Sequence, residues 1–340
     1  MSGSEMNTIG YACSYVPAEI IHAAGFRPER IIPRAGCSDA DGFSHPNLCC
    51  YARSLLADAV NGSWSRMEAV ILANSCDGMR RVFDLWGGYV DRPGAIFLDI
   101  PKKQDKGAAE CFSASLKRLG SYLSGLPGGR PVTESRLREA ARVMNRVRSG
   151  YRALFEAQRK GLVKGSEVFS VLEEDSPTPS EMIPGMLQRH FPANRGKRIL
   201  ITGNMLNSPV PVSMIESAGG SVAGFDTCFG LQHAQLPVDG EETDIWMALA
   251  QRYLSGPGCP RMMGIQGQLE RIKTLAAEVK PDGAVISKIQ FCDNLSFNLP
   301  LLQETLEASG VKCLVLENDY EWSDEEKMRI RVEAFLEMME

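Results

Sequence analysis

The sequence predicts an α/β protein: two domains built on mostly parallel sheets, with a helical insertion between them. Three observations predict it. Short apolar runs of buried-strand type alternate with helical stretches at both ends of the chain, the pattern of strand–helix–strand units. From about residue 107 to 165 that alternation gives way to apolar residues repeated at three- and four-residue steps. The length, 340 residues, exceeds a usual single core. The expected boundaries are 1–106 for an N-terminal α/β domain, 107–193 for the helical insertion and linker, and 194–340 for a C-terminal α/β domain.

Taken in order, Ala18 to Ala24 is a short helical stretch closed by Gly25, a residue suited to a left-handed cap. ERIIPR (29–34) is β-rich, and Ser54 to Val60 is helical. MEAVILAN (67–74) is an apolar run of buried-strand type, and PGAIFLDIP (93–101) is a strand bounded by proline at both ends. In the insertion, Thr133 followed by Arg136 makes half of a capping box, while Glu134 suits a helix N-terminus. The arginine-rich face of that helix reads as a solvated surface. The second α/β unit opens at NRGKRILIT (194–202). Its strands are expected at 198–203, 221–226, 283–288 and 312–318, with helices at 211–220 and 267–280, the latter followed by Pro281. No tandem repeat or low-complexity tract interrupts the chain.

A formal net charge of −5 argues against binding nucleic acid or an anionic membrane. No apolar run is long enough to span a bilayer. MSGSEMNTIG shows no basic segment leading into an apolar core, so a cytoplasmic protein is expected. Ten cysteines are too sparse for a disulfide scaffold but generous for a cytosolic enzyme. No C-x-x-C pair occurs, which removes zinc ribbons, thioredoxin-type motifs and ferredoxin runs. A metal site has to be built by tertiary convergence.

Three distant cysteines each stand just past an α/β element: Cys49 in NLCCYARS, Cys76 in NSCDGMRR and Cys292 in QFCDNLSF. Ligands of open parallel sheets bind beyond the carboxyl ends of strands, so loops from such places can share one crevice. Cys228 also follows an expected strand by two residues. A single free cysteine is as readily core filler as ligand. Asp77 and Asp293, directly after Cys76 and Cys292, point instead to polar surroundings. Soft sulfur donors without histidine favour an iron–sulfur cluster, and three thiolates on a cubane leave one iron open. The competing signals are weaker. GNMLNS (203–208) follows a strand and precedes a helix, where a phosphate could dock, but lacks the dinucleotide glycine spacing and the P-loop lysine. His22, His45, His190 and His233 show no paired spacing for zinc, and no G-x-S-x-G is present.

Five strings in order resemble the 2-hydroxyacyl-CoA dehydratase / benzoyl-CoA reductase subunit family. They are GYACSYVPAEIIHAAGFRPERI (10–31), NLCCYARS (47–54), SCDGMRR (75–81), PDGAVISKIQFCD (281–293) and VLENDYE (315–321). RIRVEAFLEMM (329–339) resembles the family's closing pattern, with Ile330 in place of threonine. The resemblance implies two Rossmann-like domains joined by helices and a [4Fe-4S] cluster on Cys49, Cys76 and Cys292. Cys50 stands where the family usually has proline, which leaves it as the alternative to Cys49. The resemblance further implies a homologous partner subunit, an acyl-CoA substrate and an ATP-dependent iron–sulfur activator. The activator injects one electron to form a ketyl radical, so that an unactivated β-proton can leave. Glu19, in the opening motif, becomes an acid/base candidate by position, against the alternative of a surface helix carboxylate. A rival branch carries a double-cubane [8Fe-9S] cluster and reduces small molecules, and Cys13, Cys228 and Cys259 would complete six thiolates for it. Dehydratases suggest a heterodimer, double-cubane proteins a homodimer. Two further readings are a non-catalytic electron-relay subunit and a two-lobed binding protein for a small carboxylate or CoA ester.

Overall fold

A computed structural model of the chain describes residues 7–173, 196–228, 236–240, 242–256 and 258–339. The described residues fall into two units. The first takes those within 1–46, 52–148 and 236–256, and the second those within 47–51, 149–235 and 257–340.

In the first unit, β1 (Thr8–Tyr11), β2 (Arg27–Arg30), β3 (Ala69–Ala73) and β4 (Gly94–Leu98) form one parallel sheet in the order β2-β1-β3-β4. Ala-Val-Ile-Leu-Ala of β3 is buried along its whole length, which is why this unbroken apolar run takes a central place. The edge strands β2 and β4 carry exposed positions. Helix α1 (Ala18–Ala23) follows β1, α2 (Cys50–Val60) precedes β3, and α3 (Asp77–Tyr89) connects β3 to β4. Gly25, at φ +89°, ends α1 as its composition predicts.

Helices α4 (Lys106–Ser124) and α5 (Glu134–Arg159) occupy the expected insertion. The Arg136 backbone N–H donates to Thr133 Oγ1 at 3.3 Å, so the predicted half capping box forms. The insertion is shared rather than separate. Helix α4 and α5 as far as Arg148 belong with the first unit, and the rest of α5 with α6 (Gly165–Glu173) belongs with the second.

The second unit holds β5 (Arg198–Gly203), α7 (Val210–Ser217), β6 (Ser221–Asp226), α9 (Gln266–Val279), β7 (Gly283–Ile289), α10 (Asp293–Ala308), β8 (Lys312–Asn318) and α11 (Glu325–Glu337). Between β6 and α9 in sequence lies α8 (Ile245–Leu254), which joins the first unit and packs on α4. Ile245, Leu249, Tyr253 and Leu254 give it a buried face that needs such a partner. The second sheet is parallel in the order β6-β5-β7-β8. Leu200, Ala284 and Ile286 of this sheet pack with Ile272 and Leu275 of α9 and Leu295, Leu302 and Leu306 of α10. Each large apolar side chain so buried contributes about 1.5–3 kcal/mol.

Numbered from its own first strand, each sheet therefore reads 2-1-3-4. Both place their topological switch point between the first and third strands, where open α/β sheets bind ligands. β5, β6 and β8 match their expected spans, and β7 runs one residue further, to Ile289. Of the β-rich stretch expected at 29–34, only Glu29 and Arg30 lie in β2, which begins earlier, at Arg27. Among the described residues, no helix is long and apolar enough to cross a membrane.

Candidate functional site

Two of the expected ligands occupy equivalent places in the two sheets. In the first unit, the Asn74 N–H donates to the carbonyl of Leu98, the last residue of β4, at 3.2 Å. Cys76, two residues on, is the N-cap of α3, and its sulfur accepts the Met79 N–H at 3.4 Å. In the second, the Gln290 N–H donates to the carbonyl of Asn318, the last residue of β8, at 2.9 Å. Cys292, again two residues on, is the N-cap of α10. Cys49 directly precedes the first residue of α2. All three cysteines thus stand at the positive end of a helix.

Cys49 and Cys292 come together within the second unit, where their side chains share a hydrogen bond. The segment carrying Cys49 is held there by the Cys50 N–H on the Gln290 carbonyl at 3.4 Å. Tyr51 also meets the Tyr320 ring edge-on at 5.7 Å between centroids. The Cys292 thiol is lowered to about 6: the bond with Cys49 is the largest cause and burial opposes it. The Leu295 backbone amide and the Asn204 side chain add to the lowering, while Asp293 works against it. The turn that presents Cys292 is strained. Phe291 sits at φ +60°, a left-handed conformation costing a non-glycine residue about 1–3 kcal/mol, and the Cys292 N–H closes the turn on Ile289 O at 3.1 Å.

Three asparagines, none singled out from the sequence for this purpose, tie together the loops of the second unit, and one of them, Asn204, touches Cys292. Asn204 Nδ2 donates to Cys292 Sγ at 3.2 Å, while its Oδ1 accepts the Ile289 N–H at 2.8 Å. Asn207 donates to Tyr320 O at 2.7 Å and accepts from Trp322 Nε1 at 3.2 Å. Asn318, buried, donates to Ser287 Oγ at 3.2 Å and accepts the Tyr320 N–H at 3.0 Å. The GNMLNS loop, weighed above as a phosphate site, thus spends Asn204 and Asn207 on its own unit. Gly203 enters it at φ +111°, where a Cβ would lie 2.3 Å from the Ser287 carbonyl oxygen, so only glycine lets the chain cross β7 here. A glycine–asparagine pair directly after a strand was the available signal.

The other expected residues take the following places. Cys50 is buried as the first residue of α2. Cys13 lies two residues past β1 in the first unit, and Cys228 two residues past β6 in the second. Cys259 sits before α9, its carbonyl accepting the Met262 N–H at 2.9 Å. Among the described residues, no three His, Cys, Asp or Glu side chains in either unit gather closely enough to hold a metal ion. His190 and His233 lie outside the described residues.

Glu19, the acid/base candidate, is not a surface carboxylate. It is 0% exposed, with Arg148 donating to one carboxylate oxygen and the Tyr253 hydroxyl donating to the other at 2.8 Å. Burial pushes its carboxyl up, but Arg148, Arg252 and the Tyr253 hydrogen bond override that and hold it below the ordinary value. So held, the carboxylate is a weak base whose visible work is to tie α1 to α5 and α8.

Residues 13–339 match the family model described as 2-hydroxyglutaryl-CoA dehydratase, D-component. The chain is 21% identical to the lactoyl-CoA dehydratase subunit beta of Anaerotignum propionicum, over 97% of this chain and 91% of that protein. It is 19% identical to the (R)-phenyllactyl-CoA dehydratase beta subunit of Clostridium sporogenes, over 100% and 93%. A benzoyl-CoA reductase subunit of Thauera aromatica is 24% identical over 62% of this chain and 57% of its own.

Proposed function

From the premise that the chain belongs to the 2-hydroxyglutaryl-CoA dehydratase D-component family, we propose that it is the iron–sulfur subunit of a 2-hydroxyacyl-CoA dehydratase-like enzyme. In this reading Cys49, Cys76 and Cys292 hold a [4Fe-4S] cluster. One observation carries it: all three cysteines stand directly before a helix, two of them at equivalent positions of equally ordered sheets. The donor set fits such a group, being three partly buried thiols with helix N-termini behind them. When bound, the cluster supplies low-potential one-electron chemistry and an iron with an exchangeable position.

The chain's own residues prepare for that ligation. Cys292, already shifted toward the thiolate, gives up its proton at low cost when a metal arrives. The Phe291 turn presents its sulfur, and the Asn204 amide donates to it. The relatives' names share a CoA thioester, and we take an acyl-CoA as the substrate. Two of those relatives are beta subunits, which supports a homologous partner subunit here. An ATP-dependent iron–sulfur activator as electron donor follows from the family resemblance.

A double-cubane [8Fe-9S] cluster is the second reading. It is favoured by Cys13, Cys228 and Cys259, which are partly exposed thiols rather than core filler. Iron and acid-labile sulfide per chain, measured on anaerobically purified protein with a paramagnetic-resonance spectrum after reduction, separate the two. About four irons per chain support the single cubane. About eight, with acid-labile sulfide in excess of iron, support the double cubane. No iron under strict exclusion of oxygen overturns both and leaves the binding-protein reading.

A further inference from the structure

We propose that Asn204 is a positioning residue that sets the reduction potential of the iron–sulfur group through a hydrogen bond from its side-chain amide to Cys292. The inference rests on the cluster reading above. Three bonds fix the geometry. The Asn204 backbone N–H donates to Ser287 O at 2.8 Å, Oδ1 accepts the Ile289 N–H at 2.8 Å, and Nδ2 donates to Cys292 Sγ at 3.2 Å. The Ile289 bond settles which end of the amide faces the sulfur. Only an oxygen can accept that N–H, so the NH2 group is the end turned to Cys292.

The first unit supplies an internal control. Tyr11 pairs with Ile71 as Gly203 pairs with Ser287. The next residue, Ala12, donates its backbone N–H to Ile71 O at 3.2 Å, as Asn204 does to Ser287 O. Ala12 is therefore the counterpart of Asn204, as Cys76 is of Cys292. The crossing of the third strand is built there with a methyl group, which has no donor to offer. The asparagine side chain is thus not what the turn requires, and its amide is an addition on the Cys292 side.

An N–H aimed at a ligating sulfur stabilises the more negative, reduced form and raises the potential. Removing it should weaken reduction about tenfold in equilibrium constant, ~59 mV more negative for a one-electron couple.

The test is a paramagnetic-resonance-monitored redox titration of anaerobically purified wild type, Asn204→Ala and Asn204→Asp, with iron assayed in each. Asn204→Asp keeps an acceptor for the Ile289 N–H while removing the donor to sulfur, and it stands in should the alanine variant fail to fold. The expected result is unchanged iron in both variants, a more negative midpoint in Asn204→Ala, and a larger shift in Asn204→Asp, which adds a negative charge. Unchanged iron with an unmoved midpoint overturns this inference alone. Iron lost from variants that keep their far-ultraviolet circular dichroism makes Asn204 a structural support and also overturns it. No iron in wild type overturns the cluster reading, and this inference falls with it.

Discussion

Cys49 shares a hydrogen bond with Cys292, although the chain on either side of the short segment Asn47–Tyr51 belongs to the other unit. Five residues are thus lent to the second unit, and the thiol they deliver is the one beside Cys292. Cys50, next in sequence, is turned inward and buried. Replacing Cys49 or Cys292 by alanine should therefore abolish bound iron while the circular dichroism of an α/β protein persists. Cys50→Ala should retain iron and lose some stability, since it removes a small apolar side chain from a packed place. Iron retained in Cys49→Ala but lost in Cys50→Ala would reverse the assignment.

The same pair predicts a chemical signature in the metal-free chain. A thiolate-leaning Cys292 with a second thiol in hydrogen-bond contact is set up for disulfide formation when an oxidant such as diamide removes the two electrons and two protons. Peptide mapping after mild diamide treatment should find Cys49 joined to Cys292 before other pairs. Loading the protein with iron and sulfide beforehand should protect both thiols. Modification of Cys111 or Cys313 ahead of this pair would count against the contact.

Much of the fold was readable because the strands are short apolar runs with clear ends. RILITG, SVAGFD and KCLVLEN coincide with β5, β6 and β8. β1 went unread because its four residues, TIGY, include a glycine and offer too little pattern. The placement of α8 was unreadable for another reason: periodicity shows that a helix has an apolar face, not which unit covers it. The same limit applies to the site. Cys76-Asp77 and Cys292-Asp293 advertise themselves locally, whereas the bond from Asn204 to Cys292 joins residues that only the β5–β7 pairing brings together. The burial of Glu19 was hidden for a related reason, since Arg148 and Tyr253, which donate to its carboxylate, lie far along the chain.

The Glu19–Arg148–Tyr253 cluster predicts how the protein responds to acid. Removing one partner of a buried ion pair leaves the other charge stranded, so Glu19→Gln should cost about 3–5 kcal/mol in urea unfolding at neutral pH. Tyr253→Phe leaves the ion pair in place but removes two hydrogen bonds to charged groups, one donated to Glu19 at 2.8 Å and one accepted from Arg148 at 3.1 Å, and should cost about 1.5–3 kcal/mol for each. The Glu19 carboxyl is held below its ordinary 4.5 in the folded protein. Its contribution is therefore complete above that value and is lost as the pH falls toward the depressed folded one. Wild-type stability should fall over this acid window, and Glu19→Gln should fall less steeply there. Equal slopes would mean that the carboxylate is not held as the structure has it.

Gly203 joins the fold to the site, and two glycine substitutions separate backbone strain from collision. Gly219 sits at φ +84° with open space where a Cβ would go, so Gly219→Ala meets only the left-handed penalty of about 1–2 kcal/mol. Gly203 adds a collision to a positive φ, because its Cβ would press to 2.3 Å on the Ser287 carbonyl of the central strand β7. The strand cannot yield without breaking its pairing with β5, and Ser287 O is also the acceptor for the Asn204 backbone N–H. Gly203→Ala should therefore destabilise well beyond Gly219→Ala in urea unfolding. It should also move Asn204 away from Cys292 and shift the midpoint potential of any bound cluster in the direction expected for Asn204→Ala. Equal losses of stability in the two variants would show that β7 relaxes around the added methyl group. The crossing at Gly203 would then not be what holds Asn204 against the sulfur.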